Sequence, residues 1–159
     1  MLTEQSRAEI ARLRAEYPDP QSALLGALAL AQKDYGGWLP ERALDEVAGV
    51  MELPPALVAS TASFYTMLHR QPVGRHVIQV CRSVSCFLLE ADRLAEYLSQ
   101  ALGIGPGETT PDGAFSLVEV ECLGLCGTAP VVQVDDRLYE DVTTAQIDEI
   151  LAGLRELRE

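Results

Sequence analysis

The chain has 159 residues, enough for one compact domain or a small domain with an appended helical arm, and too few for two large domains. Its 24 acidic side chains against 12 basic ones leave a formal charge of −12. Such a field repels phosphate and anionic lipid over about 8 Å in physiological salt, which argues against nucleic-acid binding. The opening "MLTEQSRAEIARLRAEY" is charged and has no apolar signal core, and no apolar run reaches the ~18 residues of a membrane span. The chain therefore reads as cytoplasmic, or as docked to a membrane complex from the cytosolic side without insertion.

In chain order, residues 3 to 69 read as helices. Ile10, Leu13 and Tyr17 recur at helical spacing before "YPDP" breaks the pattern. Asp19 and Pro20 form a cap and first-turn pair for a helix with Leu24, Leu25, Leu28 and Ala31 on one face. Pro40 opens the next helix, and Pro54 with Pro55 opens another, because a fixed φ and a missing N–H suit a first turn. The expectation is a bundle of about four short helices over residues 1–72.

From residue 73 the periodicity changes. "HVIQV" is a β-branched strand ending at Cys81, and "FLLEADRLAEYLSQALG" is a helix with Leu88, Leu94, Leu98 and Leu102 on one face and Gly103 at its end. "TPDG" is a turn, followed by the strand "AFSLVEVE", which ends at Cys122. "VVQVD" and "RLYED" form a hairpin around Asp135 and Asp136. The last segment, "TAQIDEILAGLREL", is an amphipathic helix with a Thr143–Gln146 capping box. This order, β-α-β-β-β-α over residues 73–159, makes the chain α+β. Two strands joined by a helical crossover run parallel, so Cys81 and Cys122 are expected at the same edge of the sheet.

The four cysteines form two tight pairs, Cys81 with Cys86 and Cys122 with Cys126. In a reducing compartment such pairs are metal ligands or catalytic thiols rather than structural bridges. Thiolates select zinc, copper(I) or iron–sulfur clusters. Intervals of four and three residues suit an all-cysteine zinc site as well as a [2Fe-2S] cluster with two thiolates on each iron. They fit poorly with thioredoxin-type exchange, whose pair is C-x-x-C. Gly124, Gly127, Ser83 and Ser85 lie in or beside the pairs, where backbone N–H groups can reach sulfur, although each is also an ordinary turn residue.

"GRHVIQVCRSVSC", "LGIGPGETTPDGAFSLVEVECLGLCGTAPVVQVDD" and "STASFYTM" together resemble the thioredoxin-like [2Fe-2S] subunit of NADH:quinone oxidoreductase, the respiratory complex I. The resemblance spans nearly the whole chain, including "YGGWLP". It implies a helical bundle followed by a thioredoxin-like [2Fe-2S] ferredoxin domain. It also implies one [2Fe-2S] cluster, with Cys81 and Cys86 on one iron and Cys122 and Cys126 on the other. The implied partner is the flavin- and NADH-binding subunit of the same complex, gripped by the helical arm. The implied location is the peripheral arm of a membrane-associated complex. No G-x-G-x-x-G or P-loop is present, so neither NADH nor FMN is expected to bind this chain, and the isolated chain is not expected to be catalytic. A homodimer in isolation and a dimer of heterodimers are both compatible with the sequence. The small subunits of NAD-dependent formate dehydrogenases and NAD-linked hydrogenases share the pattern. A zinc-stabilised adaptor and a dithiol oxidoreductase are the alternatives of another class.

Several residues carry secondary expectations. Glu90 stands where many relatives of this family carry glycine, and its charge would make reduction somewhat harder unless solvent screens it. Pro130 precedes "VVQV", where thioredoxin-like domains often have a cis proline; the general cis frequency of about 5–6% favours trans. His69 and His76 read as surface or strand-packing residues, since four thiols are already available. Tyr35, Trp38, Phe64 and Tyr65 are candidates for partner anchors or for packing within the helical arm.

Overall fold

A computed structural model describes residues 1–156. The chain divides into two compact units, Met1–Val73 and Gly74–Glu159.

The first unit is helical: α1 (Glu4–Glu16), a 3₁₀ turn at Pro20–Ala23, α2 (Leu24–Asp34), α3 (Glu41–Met51) and α4 (Pro55–Phe64). Thr3 caps α1 by accepting the Ser6 N–H, 3.1 Å away. Asp19 caps the 3₁₀ turn rather than α2, accepting the Gln21 N–H at 3.0 Å, so the long helix begins a turn later than the Asp–Pro pair suggests. Ile10, Leu24, Leu28, Leu39, Val47, Met51 and Val58 form the core of this unit. Leu25 is not on that face; it is 39% exposed. Tyr17 is also exposed, because α1 has ended before it. The amino-terminal residues are tied down, with Leu2 buried and its N–H donated to Glu46 at 2.8 Å.

The second unit is a four-stranded sheet with helices, in the order β1 (His76–Cys81), α5 (Val84–Leu88), α6 (Ala91–Leu102), β2 (Phe115–Val120), β3 (Val132–Val134), β4 (Arg137–Tyr139) and α7 (Thr144–Glu156). A 3₁₀ turn at Cys126–Thr128 precedes β3. The strand order is β2-β1-β3-β4, with β1 and β2 parallel and the β1–β3 and β3–β4 pairs antiparallel. Ile78, Val80, Leu98, Leu117, Val132, Ile147 and Leu151 fill the core. Thr143 and Gln146 cap α7 reciprocally: the Thr143 N–H donates to Gln146 Oε1 at 2.8 Å, and the Gln146 N–H to Thr143 Oγ1 at 3.3 Å. Leu157, the last residue of the segment read as that helix, lies outside the described residues.

Two sequence expectations are corrected here. The stretch from Phe87 to Gly103 is not one helix but two, broken at Glu90, which takes a left-handed φ of 63°. Leu88 belongs to the short first helix and is 72% exposed, so it is not part of the α6 core face. The Ala129–Pro130 peptide bond is cis, against the base rate. The left-handed backbone at residue 90 accounts for a preference for glycine there, since a side chain in that region costs ~1–2 kcal/mol. Glu90→Gly is therefore expected to raise stability by about 0.5–1 kcal/mol, after allowing for glycine's extra flexibility and the lost pair with Arg93. An upward shift of the urea midpoint would show it; a downward shift would mean that the Arg93 pair dominates.

Candidate metal centre

The parallel pairing of β1 and β2 sets Cys81 directly opposite Val120. Cys122 follows two residues later, so both cysteine loops leave the same edge of the sheet. The Arg82 N–H donates to the Val120 carbonyl at 2.9 Å and the Cys81 N–H to the Val131 carbonyl at 3.1 Å, which fixes the first loop between its neighbours. Cys86 lies on α5, whose inner side it forms, and α5 packs against the 3₁₀ turn that begins at Cys126. A strand end, a helix and a turn thus carry the thiols.

All four cysteines are free thiols; Cys81 and Cys86 are buried, at 3% and 2% exposure, whereas Cys122 and Cys126 are exposed. Burial alone would raise the Cys81 thiol, but the backbone N–H groups of Ser83 and Leu123 and the thiol of Cys86 favour its ionised form and hold it below the ordinary range. Cys86 moves the other way: burial pushes it up, and its hydrogen bond to Cys81 and the nearby charges of Cys81 and Cys126 add to that. The Gly124 N–H points at Cys122 Sγ from 3.3 Å, with Gly124 itself at φ 81°.

The structure therefore brings Cys81 and Cys86 into contact and sets Cys126 close enough for its charge to act on Cys86. Cys122 stands on the solvent side. Among the described residues, no group of three or more His, Cys, Asp or Glu side chains is drawn together tightly enough to hold a lone metal ion. The chemistry of the donor set fits a two-iron cluster: two thiols on each of two adjacent loops, with N–H groups directed at sulfur. Of the turn residues singled out in the sequence, Ser83 and Gly124 supply such N–H groups. Those of Leu123 and Val131, which reach Cys81 and Cys86, carry no sequence signal, since any residue type can supply them.

The histidines are occupied elsewhere. His76 Nδ1 lies 2.7 Å from Asp135 Oδ2 and its ring stacks near Phe115, while His69 belongs to the helical unit, where burial lowers its pKa. Glu90 pairs with Arg93 at 2.8 Å in solvent, which screens its charge. The carboxylate that acts on Cys81 is Glu121. Tyr35 and Tyr65 pack on the helical core, Trp38 is half-buried, and Phe64 is 79% exposed.

Residues 10–155 match the thioredoxin-like [2Fe-2S] ferredoxin family. The chain is 45% identical over 149 residues to an E-type NADH-quinone oxidoreductase subunit of Rhizobium meliloti, covering 94% of this chain and 88% of the relative. It is 46% identical over 144 residues to NADH-quinone oxidoreductase subunit 2 of Thermus thermophilus, covering 89% and 79%. Among solved structures, an NAD+-reducing [NiFe]-hydrogenase in the air-oxidised state superposes with a TM-score of 0.72 at 28% identity. That superposition covers 86% of this chain but 23% of the hydrogenase chain, so the shared fold is a module of a longer polypeptide there.

Proposed function

Because the chain belongs to the thioredoxin-like [2Fe-2S] ferredoxin family, we propose that it is the one-electron carrier subunit beside the flavin-containing, NADH-oxidising subunit of an NADH:quinone oxidoreductase. The observation that carries this reading is the placement of two thiol pairs on adjacent loops at one sheet edge, with backbone N–H groups facing sulfur. Cys81 and Cys86 would hold one iron, and Cys122 and Cys126 the other. When bound, the cluster supplies one-electron transfer.

The chain's own residues set the conditions for that transfer. Buried Cys81 and Cys86 shield one side of the site from water, and the N–H groups of Ser83, Leu123, Val131 and Gly124 favour negative charge on sulfur. The acidic surface opposes the extra negative charge of the reduced state, which favours a low potential. Among the described residues, no helix is long and apolar enough to cross a membrane, in keeping with a place in a peripheral arm. In the helical unit Phe64 and Met67 stand 79% and 58% exposed, suited to gripping a partner.

The hydrogenase superposition favours a second reading, in which the chain serves the NAD-linked flavin module of a hydrogenase. Both readings share the flavin partner. The chain with its cluster is expected to form a stable one-to-one complex with that flavin-bearing subunit, read by sedimentation. A chain that carries its cluster and does not associate would overturn the proposal.

A further inference from the structure

The second cysteine pair lies in a stretch with little regular structure of its own. Between the end of β2 at Val120 and the start of β3 at Val132 there is one 3₁₀ turn, Cys126–Thr128, and both thiols of the pair are exposed. The thiols of the first pair, on β1 and α5, are both buried. The position of Cys126 thus depends on what its loop is fastened to.

The fastening is the segment Glu140–Val142, which links β4 to α7. The Glu140 carboxylate accepts from the Thr128 hydroxyl, the Asp141 N–H donates to the Thr128 carbonyl at 2.8 Å, and the Val142 N–H donates to the Pro130 carbonyl at 3.0 Å. The Thr128 N–H closes the turn on the Leu125 carbonyl at 3.2 Å, so Thr128 is bonded both within the turn and across to the segment. Its hydroxyl also lies 3.4 Å from the Leu125 carbonyl, too far to compete with a charge-assisted bond for the one hydroxyl proton. Val142, buried in the core of the second unit, anchors the segment, and Asp141 takes a left-handed φ of 48°. A residue with a side chain keeps that conformation only where its surroundings impose it. Here it accompanies two successive N–H groups, those of Asp141 and Val142, that both donate to the cysteine loop.

We propose that Thr128 and Glu140 are positioning residues for the cluster, acting through the turn that carries Cys126. Their bond, with the Asp141 N–H beside it, holds the turn against the segment and slows the local opening through which the exposed thiol pair would lose its iron. This role rests on the reading of Cys126 as a ligand and adds two residues that no thiol chemistry points to. The charge of Glu140 is not what it needs, because an amide oxygen at the same place accepts the same hydroxyl proton.

The test uses the full chain with its cluster and follows the anaerobic loss of visible absorption after a strong iron chelator is added. Thr128→Val and Glu140→Ala are each expected to lose iron about tenfold faster, on the scale of one charge-assisted hydrogen bond. The double variant should be no faster than either alone, since both changes remove the same bond. Thr128→Ser and Glu140→Gln, which keep a hydroxyl and an acceptor, should lose iron at the wild-type rate. Tyr97→Phe, which removes the hydrogen bond to Asp148 between α6 and α7, should do the same. Glu140 is exposed, so its truncation leaves the core intact and carries the test even where Thr128→Val does not fold. Wild-type release from Glu140→Ala, or release as fast from Glu140→Gln as from Glu140→Ala, overturns the positioning role while leaving the ligand reading intact. Release that follows the overall stability of the variants, Tyr97→Phe included, overturns it as well. A wild-type chain that takes up no iron overturns the ligand reading and the positioning role together.

Discussion

Alanine at Cys126 is expected to give a folded but colourless protein, with iron and sulfide falling to near zero. The same change at Cys86 should cost stability as well as the cluster. The difference follows from burial. Cys126 is exposed and its thiol contributes little packing, whereas Cys86, at 2% exposure, fills space between α5 and the sheet and bonds to Cys81. Removing a buried sulfur should cost the metal-free protein about 1 kcal/mol, the scale of a small cavity. Comparing metal-free forms matters, because metal binding energy is itself folding energy. Iron analysis with thermal unfolding of the metal-free variants checks both parts. Full iron retention in Cys126→Ala would remove that residue from the ligand set.

Gly74→Ala is expected to destabilise the second unit by about 3 kcal/mol or more. A Cβ at Gly74 would lie 2.5 Å from the Phe115 carbonyl carbon, 2.7 Å from Ser116 N and 2.9 Å from Phe115 Cα. All three are backbone atoms of β2, which cannot move aside as a side-chain tip can. The site is also fixed by hydrogen bonds: the Gly74 N–H donates to Ser116 Oγ at 2.7 Å, and the His76 N–H to the Ala114 carbonyl at 2.9 Å. The strain would fall where β1 and β2 come together, on the pairing that sets the two cysteine loops side by side. Gly49→Ala provides the opposite sign. Gly49 lies inside α3 with nothing within 4 Å of a would-be Cβ, so alanine there should add about 0.5–1 kcal/mol. Chemical denaturation of the two variants separates steric crowding from helix propensity.

Much of this architecture was legible wherever a local signal coincided with a tertiary need. Prolines at 40 and 54–55 mark the starts of α3 and α4, and Thr143 with Gln146 marks α7, because capping chemistry is local. The strands ending at Cys81 and before Cys122 could be placed side by side because a helical crossover makes them parallel. The break at Glu90 was not legible. Nothing near it is a helix breaker, and the left-handed turn exists because α5 must bury Cys86 while α6 buries Leu94 and Leu98. The exposed face of α5 was hidden by the same misreading, since Leu88 fits the periodicity of a single long helix. The N–H groups of Leu123 and Val131 depend on the path of the chain around the thiols, which no residue type encodes, whereas the cis bond falls at a proline, the residue type that tolerates it.

The most direct test of the electron-carrier function is the visible absorption and EPR spectrum of anaerobically purified protein before and after dithionite, with iron and acid-labile sulfide quantified. The expected result is a brown protein with about two irons and two sulfides per chain and a rhombic S = 1/2 signal that emerges only on reduction. A colourless, EPR-silent protein that contains stoichiometric zinc and resists cluster reconstitution would contradict it.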